Sequence, residues 1–316
     1  MSLTNSTFML EVKNLNKKFG DFHAVKNLNF QIRKGEIFGF LGPNGAGKTT
    51  TMRMVTCYMP PSSGSIQVEG LDTSFQSLAV RKKIGYLAES NPLYSDMTVQ
   101  EYLKFVGEIR GISGSKLQSR IGEMFSVCGL TKMAYRQIGK LSKGYRQRVG
   151  LAQAMIHNPD LLILDEPMSG LDPNQIIEIR NLIKNLGREK TVIYCSHILS
   201  EVSATCDRIL IINDGEIVAS GTPDELTQKS SKGNRYMAKI KGDRSDIESK
   251  VLSITGVSRI NILKVDSDWV SAEIDASQDD IGESLFRCVV DNGWSLSELR
   301  HESASLEDVF TQLTRG

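Results

Sequence analysis

The stretch Glu36–Leu41 reads as a buried strand. It runs without a break into Gly42-Pro43-Asn44-Gly45-Ala46-Gly47-Lys48-Thr49-Thr50. Helical spacing follows over Thr51–Tyr58, and Pro60-Pro61 stops it. Few folds accept a strand, a glycine-rich turn and a helix in that order. Glycines let successive backbone N–H groups turn inward at a helix N-terminus, where they cradle phosphate oxygens. Gly42-x-x-x-x-Gly47-Lys48-Thr49 has the spacing of such a phosphate-binding loop. In it Lys48 neutralises β/γ charge and the Thr49 hydroxyl is placed to ligate Mg²⁺.

A second apolar strand, Leu161–Leu164, ends in Asp165-Glu166. Carboxylates at the C-terminal end of a strand lie where a sheet's ligands bind. Asp165 can hold Mg²⁺ directly or through water. Glu166 can orient and deprotonate an attacking water. Strand texture recurs at Thr191–Cys195 and Arg208–Ile212, with helical stretches at Asn174–Leu186 and Leu199–Cys206 between. That alternation predicts a parallel sheet with helices on its faces. Asp214-Gly215 marks a hairpin into Glu216–Ser220. Nearer the N-terminus, alternating residues 9–32, broken at Gly20-Asp21, suggest short strands and turns, with further strands at Ser65–Val68 and Ile84–Leu87. The block Thr98–Met155 carries helical spacing, including Val99, Tyr102, Leu103 and Val106.

Leu141-Ser142-Lys143-Gly144-Tyr145-Arg146-Gln147-Arg148 lies about twenty residues before the two acids. It resembles the signature sequence of ATP-binding-cassette (ABC) ATPases. Ser169-Gly170-Leu171-Asp172 and His197 follow in the order that family shows, over about residues 9–222. The resemblance implies a P-loop cassette: a RecA-like core sheet, an antiparallel β subdomain and a helical subdomain at about 91–155. It implies that Phe19 stacks on adenine, unless it is simply a core aromatic. Ser142 and Gly144 would contact the γ-phosphate of ATP held by an opposite subunit. Asp172 would link the two sites, and His197 would sense the γ-phosphate. Gly42 to Thr50 would hold the nucleotide, with Lys48, Glu166 and His197 serving hydrolysis and Thr49, Glu89 and Asp165 serving Mg²⁺.

Three positions depart from the usual pattern. Lys143 and Tyr145 replace Gly and Gln of the signature, and Lys143 either adds a cation near phosphate or faces water. Glu89 stands where the loop normally has Gln; a carboxylate can still ligate Mg²⁺. Met168 replaces a small polar residue and reads as packing. Glu89, the altered signature and the ending Ser305-Leu306-Glu307-Asp308-Val309-Phe310 resemble the ATPases of ABC-2-type exporters, including those named for gliding motility.

Composition limits the rest. With 316 residues, the chain is long enough for about two domains. Residues 221–316 carry 12 basic and 17 acidic side chains, while the remainder is net +6. We set the boundary at 230/231: a cassette over 1–230 and an α+β extension over 231–316. Its β-α-β-β-α-β order suggests a ferredoxin-like unit, followed by a helix at Ser305–Leu313. No apolar run approaches the ~18 residues of a spanning helix, and Met1–Leu10 does not read as a signal peptide. Five cysteines without a C-x-x-C pair suggest reduced thiols.

The resemblance implies an ATPase subunit peripheral on the inner face of the cell membrane. A separate membrane permease subunit and a second ATPase subunit, in an ATP-dependent homodimer, would be its partners. The alternative is a soluble ABC ATPase serving DNA repair, ribosomes or iron–sulphur assembly. A single cassette without a long heptad run or strong basicity argues against nucleic acid as a partner. A purely regulatory nucleotide-binding module is disfavoured by Glu166 and His197.

Overall fold

The computed structural model describes residues 8–230, 234–277, 281–302 and 310–311. The chain divides into two compact units between Thr222 and Pro223. Among the described residues the first unit holds two sheets and the second one.

The first unit opens with an antiparallel hairpin, β1 (Phe8–Phe19) and β2 (Phe22–Arg33). These are two twelve-residue strands, not the several short ones that the broken alternation suggests. Register shifts along β1, and Asn14 and Asn27 at φ 48° and 50°, interrupt the period-2 pattern without ending the strands. β3 (Ile37–Leu41) leads into the glycine-rich turn and α1 (Lys48–Val55). The helix starts three residues earlier than its apolar spacing indicates, because Gly47 caps it at φ 103°. β4 (Ser63–Val68) and β5 (Leu71–Asp72) complete the antiparallel sheet, in the order β2-β1-β4-β5.

Next come α2 (Ser77–Lys83) and β6 (Ile84–Leu87), then a helical layer of α3 (Val99–Ile109), α4 (Gly114–Val127) and α5 (Lys143–Met155). A capping box starts α3: Thr98 accepts from the Glu101 N–H, and the Glu101 carboxylate accepts from the Thr98 N–H. The chain returns to the core through β7 (Leu161–Asp165), α6 (Pro173–Gly187), β8 (Thr191–Ser196), α7 (Leu199–Ser203), β9 (Arg208–Asn213) and β10 (Glu216–Gly221).

The core sheet has the order β10-β9-β3-β8-β7-β6. Its pairs from β9 to β6 are parallel, and only β10 is antiparallel. Every residue of β3, β7 and β8 is buried, which is why these strands read as unbroken apolar runs rather than alternating ones. One hydrophobic cluster joins this sheet to the antiparallel sheet through Met52, Met54 and Val55 of α1.

The second unit begins with α8 (Pro223–Ser230), then β11 (Asn234–Lys241), α9 (Arg244–Leu252), β12 (Val257–Asp266), β13 (Trp269–Ala276), α10 (Gly282–Asp291) and β14 (Ser295–Glu302). Its sheet has the order β12-β13-β11-β14, antiparallel throughout. Strand β13 alternates half-buried and buried residues. Its Val270, Ala272, Ile274 and Ala276 join Ile247 and Leu285 of α9 and α10 in a separate core. The expected helix Ser305–Leu313 lies outside the described residues except at Phe310 and Thr311. Among the described residues the five cysteines are free. Cys128, Cys195 and Cys206 are buried, and burial pushes the Cys128 thiol up to about 12.

Candidate active site

Strand register builds the site. Leu41, the last residue of β3, pairs with Ser196 of β8, and Asp165 of β7 pairs with Cys195. Three strand ends therefore meet at the carboxyl edge of the sheet. They bring together the glycine-rich turn, Asp165-Glu166 and Ser196-His197. This is the edge at which open α/β sheets bind ligands.

The turn needs its glycines. A Cβ on Gly42 would lie 2.3 Å from the Ile212 carbonyl oxygen, and one on Gly47 would lie 2.7 Å from that of Ala24. Lys48 is buried at 6% exposure. Its ammonium donates to the carbonyls of Gly42 (2.6 Å) and Pro43 (3.1 Å) and stands 4.0 Å from Glu166 Oε1. A cavity of about 300 Å³ opens here. It is lined by Asn44, Gly45, Gly47, Lys48, Thr49, Thr50, Glu89 and Glu166.

The Thr49 hydroxyl donates to Asp165 Oδ2 at 3.1 Å, while Asp165 Oδ1 is buried and unpartnered. Burial, followed by the Glu166 and Glu89 charges, raises the Asp165 pKa to about 6, against the opposing effects of the Thr49 hydroxyl and Lys48. Among the described residues no group of three or more His, Cys, Asp or Glu could hold a metal ion. The hydroxyl of Thr49 and the free oxygen of Asp165 are nonetheless hard donors beside the turn. They fit Mg²⁺, which takes few protein ligands and completes its shell with phosphate oxygens and water.

Glu166 is 7% exposed and holds φ at 50°, a backbone conformation uncommon for a residue with a side chain. Its N–H donates to the Cys195 carbonyl at 2.9 Å. Its two carboxylate oxygens face different groups. Oε1 accepts from His197 Nδ1 at 2.8 Å, and Oε2 lies 3.2 Å from Ser196 Oγ. Ser196 carries no feature that marks it in the sequence beyond preceding His197. Only the β7–β8 pairing brings it to Glu166.

The other expected residues lie elsewhere. Ser142 is the N-cap of α5, accepting from the Tyr145 N–H, and Asp172 is the N-cap of α6, accepting from the Gln175 N–H. Together with Gly144, Tyr145, Arg148 and Gln175 they line a second cavity of about 280 Å³. Gly144 lies close against Gln175, so that a Cβ there would meet the tip of the Gln175 side chain at 2.7 Å. Lys143 lies across Gly170, so that a Cβ on Gly170 would come within 2.1 Å of the ammonium. Phe19 sits at the β1–β2 turn, 48% exposed, with the Lys17 ammonium 5.3 Å from its ring centre. That exposure removes the core-aromatic alternative. Met168 is buried, as packing requires.

Residues 25–169 match the ABC transporter family model. The chain is 35% identical over 308 residues to YxlF of Bacillus subtilis (strain 168), an ABC transporter ATP-binding protein. The match covers 98% of this chain and all of the relative. It is 33% identical over 310 residues to the bacitracin transport ATP-binding protein BcrA of Bacillus licheniformis, covering 98% of each. Among solved structures, the dimeric ATP-binding cassette MJ0796 bound to ADP and Pi superposes with a TM-score of 0.62. It has 28% identity, and the match covers 68% of this chain and 98% of that one. The phosphate-loop cavity, the paired acids and these full-length likenesses place the chain in the ABC transporter family, as an ATP-binding and ATP-hydrolysing subunit.

Proposed function

We propose that this chain is the ATPase of an ABC-2-type exporter, working as a homodimer on the inner face of the membrane with a separate permease. Its likeness along its whole length to a bacitracin transport ATP-binding protein supports a transport role. Among the described residues no helix is long and apolar enough to cross a membrane, so in this reading the permease supplies the path.

In this reading Gly42 to Thr50 wrap the phosphates and Lys48 turns from the Gly42 carbonyl to the β/γ oxygens. Phe19 meets the adenine. Thr49 and Asp165, with Glu89 at the cavity wall, hold Mg²⁺, which offsets phosphate charge when bound. Glu166 accepts the proton of the attacking water, and His197, whose Nδ1 stands 2.8 Å from Glu166 Oε1, reaches the γ-phosphate. Ser142, Gly144 and Asp172, in their own cavity, serve the nucleotide of the second subunit. The N-terminal turn of α5 is suited to that anion. The first unit, which ends at Thr222 rather than at the 230 set from the sequence, is the cassette, and the second unit is a ferredoxin-like extension.

The observation that carries the assignment of Glu166 is its placement: a buried carboxylate beside Lys48 and His197, at the mouth of the phosphate-loop cavity. Glu166→Gln tests it. Turnover falls by about 10²–10⁴-fold, the usual worth of a positioned base. ATP binding survives, and ATP-dependent dimers accumulate in light scattering. Near-normal hydrolysis by this variant defeats the assignment.

A further inference from the structure

We infer that Ser196 is a positioning residue for Glu166, and that it is anchored by a buried network built on Glu201 and Tyr194. The inference rests on the reading of Glu166 as the base. Four polar side chains form the network, with Tyr194 and Ser196 at 0% exposure, Glu201 at 6% and Glu166 at 7%. Ser196 Oγ lies 3.2 Å from Glu166 Oε2 and 3.1 Å from Glu201 Oε2, and it accepts from the Ile198 N–H at 3.1 Å. The Tyr194 hydroxyl donates to the same Glu201 oxygen at 2.9 Å. The Thr205 hydroxyl donates to the Glu201 carbonyl at 2.7 Å, which ties the residue into the turn after α7.

A serine hydroxyl has one proton to donate. Two carboxylates compete for it. Glu201 Oε2 already accepts from Tyr194. Among the described residues Ser196 is the one hydrogen-bond donor within reach of Glu166 Oε2. The proton is therefore best used on Glu166. Buried polar atoms left without a partner are costly, so this bond sets the rotation of the Glu166 carboxylate. Oε2 is held inward against β8. Oε1 is left to His197 and Lys48, on the side of the phosphate-loop cavity. The uncommon backbone angle of Glu166 launches the side chain from a fixed point, and Ser196 fixes its far end. A base must stand within hydrogen-bond reach of the group whose proton it takes, about 2.6–3.2 Å between heavy atoms, and a misplacement of about 1 Å costs a large rate factor.

Steady-state ATPase assays on the full chain test this, with ATP affinity and the thermal unfolding midpoint measured on the same preparations. Ser196→Ala lowers kcat about tenfold or more, with KM for ATP and ATP affinity close to wild type and a lower midpoint from the lost buried hydrogen bonds. Ser196→Thr keeps the hydroxyl and restores most of kcat. Glu166→Gln, run alongside, separates the two failures. Turnover by Glu166→Gln overturns the assignment of the base. An inactive Glu166→Gln beside a fully active Ser196→Ala overturns the positioning role alone. The role is also overturned if Ser196→Ala loses ATP affinity together with kcat, or if a folded Ser196→Thr fails to restore kcat.

Discussion

Lys48 is an ammonium inside the protein, and its nearest partners are two carbonyls of its own loop. Carbonyls neutralise no charge, so a polyanion in the adjoining cavity is a better partner. Lys48→Ala removes one charge-assisted contact, worth about 1.5–3 kcal/mol, and ATP affinity measured by titration calorimetry drops about 10–100-fold. Unchanged affinity excludes the phosphate-loop role. His157 offers a prediction unrelated to catalysis. Its Nε2 donates to the Ile84 carbonyl at 3.0 Å, and its Nδ1 is buried without a partner. Burial, with Arg110 next in effect, holds its pKa down to about 4 from 6.5. Between those values the unfolded chain binds a proton that the folded chain refuses. Stability from this residue is full above pH 6.5 and is lost as pH falls toward 4. His157→Gln retains a donor for Ile84 and does not titrate. Urea unfolding at pH 7 and pH 4.5 therefore shows wild type losing on the order of 2 kcal/mol more than the variant. An equal loss in both removes His157 as the source. The residues of the phosphate loop are legible in sequence because they are contiguous and one short-range turn holds them. Ser196 and Glu201 are not, since a strand pairing across thirty residues of chain creates their proximity to Glu166.

At the level of elements, α5 matters for how closely it seats on β6. A Cβ on Gly85 of β6 would lie 2.2 Å from the Ala154 carbonyl oxygen of α5, and one on Gly150 of α5 would lie 1.9 Å from Asn91 Nδ2. The second contact is with the tip of a side chain, which can move. The first is with backbone, which cannot move without shifting the helix. Gly85→Ala is thus expected to destabilise the chain by about 1–3 kcal/mol, read as a lower urea midpoint at unchanged slope. A midpoint equal to wild type contradicts the tight seating. Both caps near the second cavity, Ser142 and Asp172, already serve helix starts. A substitution at either therefore acts on α5 or α6 as well as on any ligand, and losses there need a stability measurement beside the activity. Helix positions are recognisable from spacing and caps. The extent of β1 and β2 is not, because bulges break the alternation on which such reading depends.

On the scale of the whole molecule, two hydrophobic clusters among the described residues have no residue in common. The large cluster draws on residues up to Ile212, and the smaller one begins at Tyr236. Lys48, Glu89, Ser142, Asp165, Glu166, Asp172 and His197 all belong to the first unit. Removing residues 231–316 is expected to leave a folded protein with wild-type ATP affinity and a cooperative thermal transition. Lost binding on truncation would mean that the acidic second unit completes the first. The helix Pro223–Ser230 groups with the second unit, so the shorter chain 1–222 is the companion to measure.

By itself the sequence determined the chemistry-bearing segments: the glycine-rich turn and its lysine, the apolar strands that end in acids, and the alternation of strands with helices. These are local or periodic properties, governed by backbone freedom at glycine and by burial on both faces of a parallel sheet. The tertiary structure alone decided which of these segments meet. Parallel pairing of β3, β8 and β7 aligns their carboxyl ends, and that alignment gives Glu166 one oxygen facing the cavity and one facing Ser196. It also places Ser142, Gly144 and Asp172 in a cavity apart from the phosphate loop. Such juxtapositions come from hydrogen-bond register and side-chain packing between distant segments, for which linear spacing carries no signal.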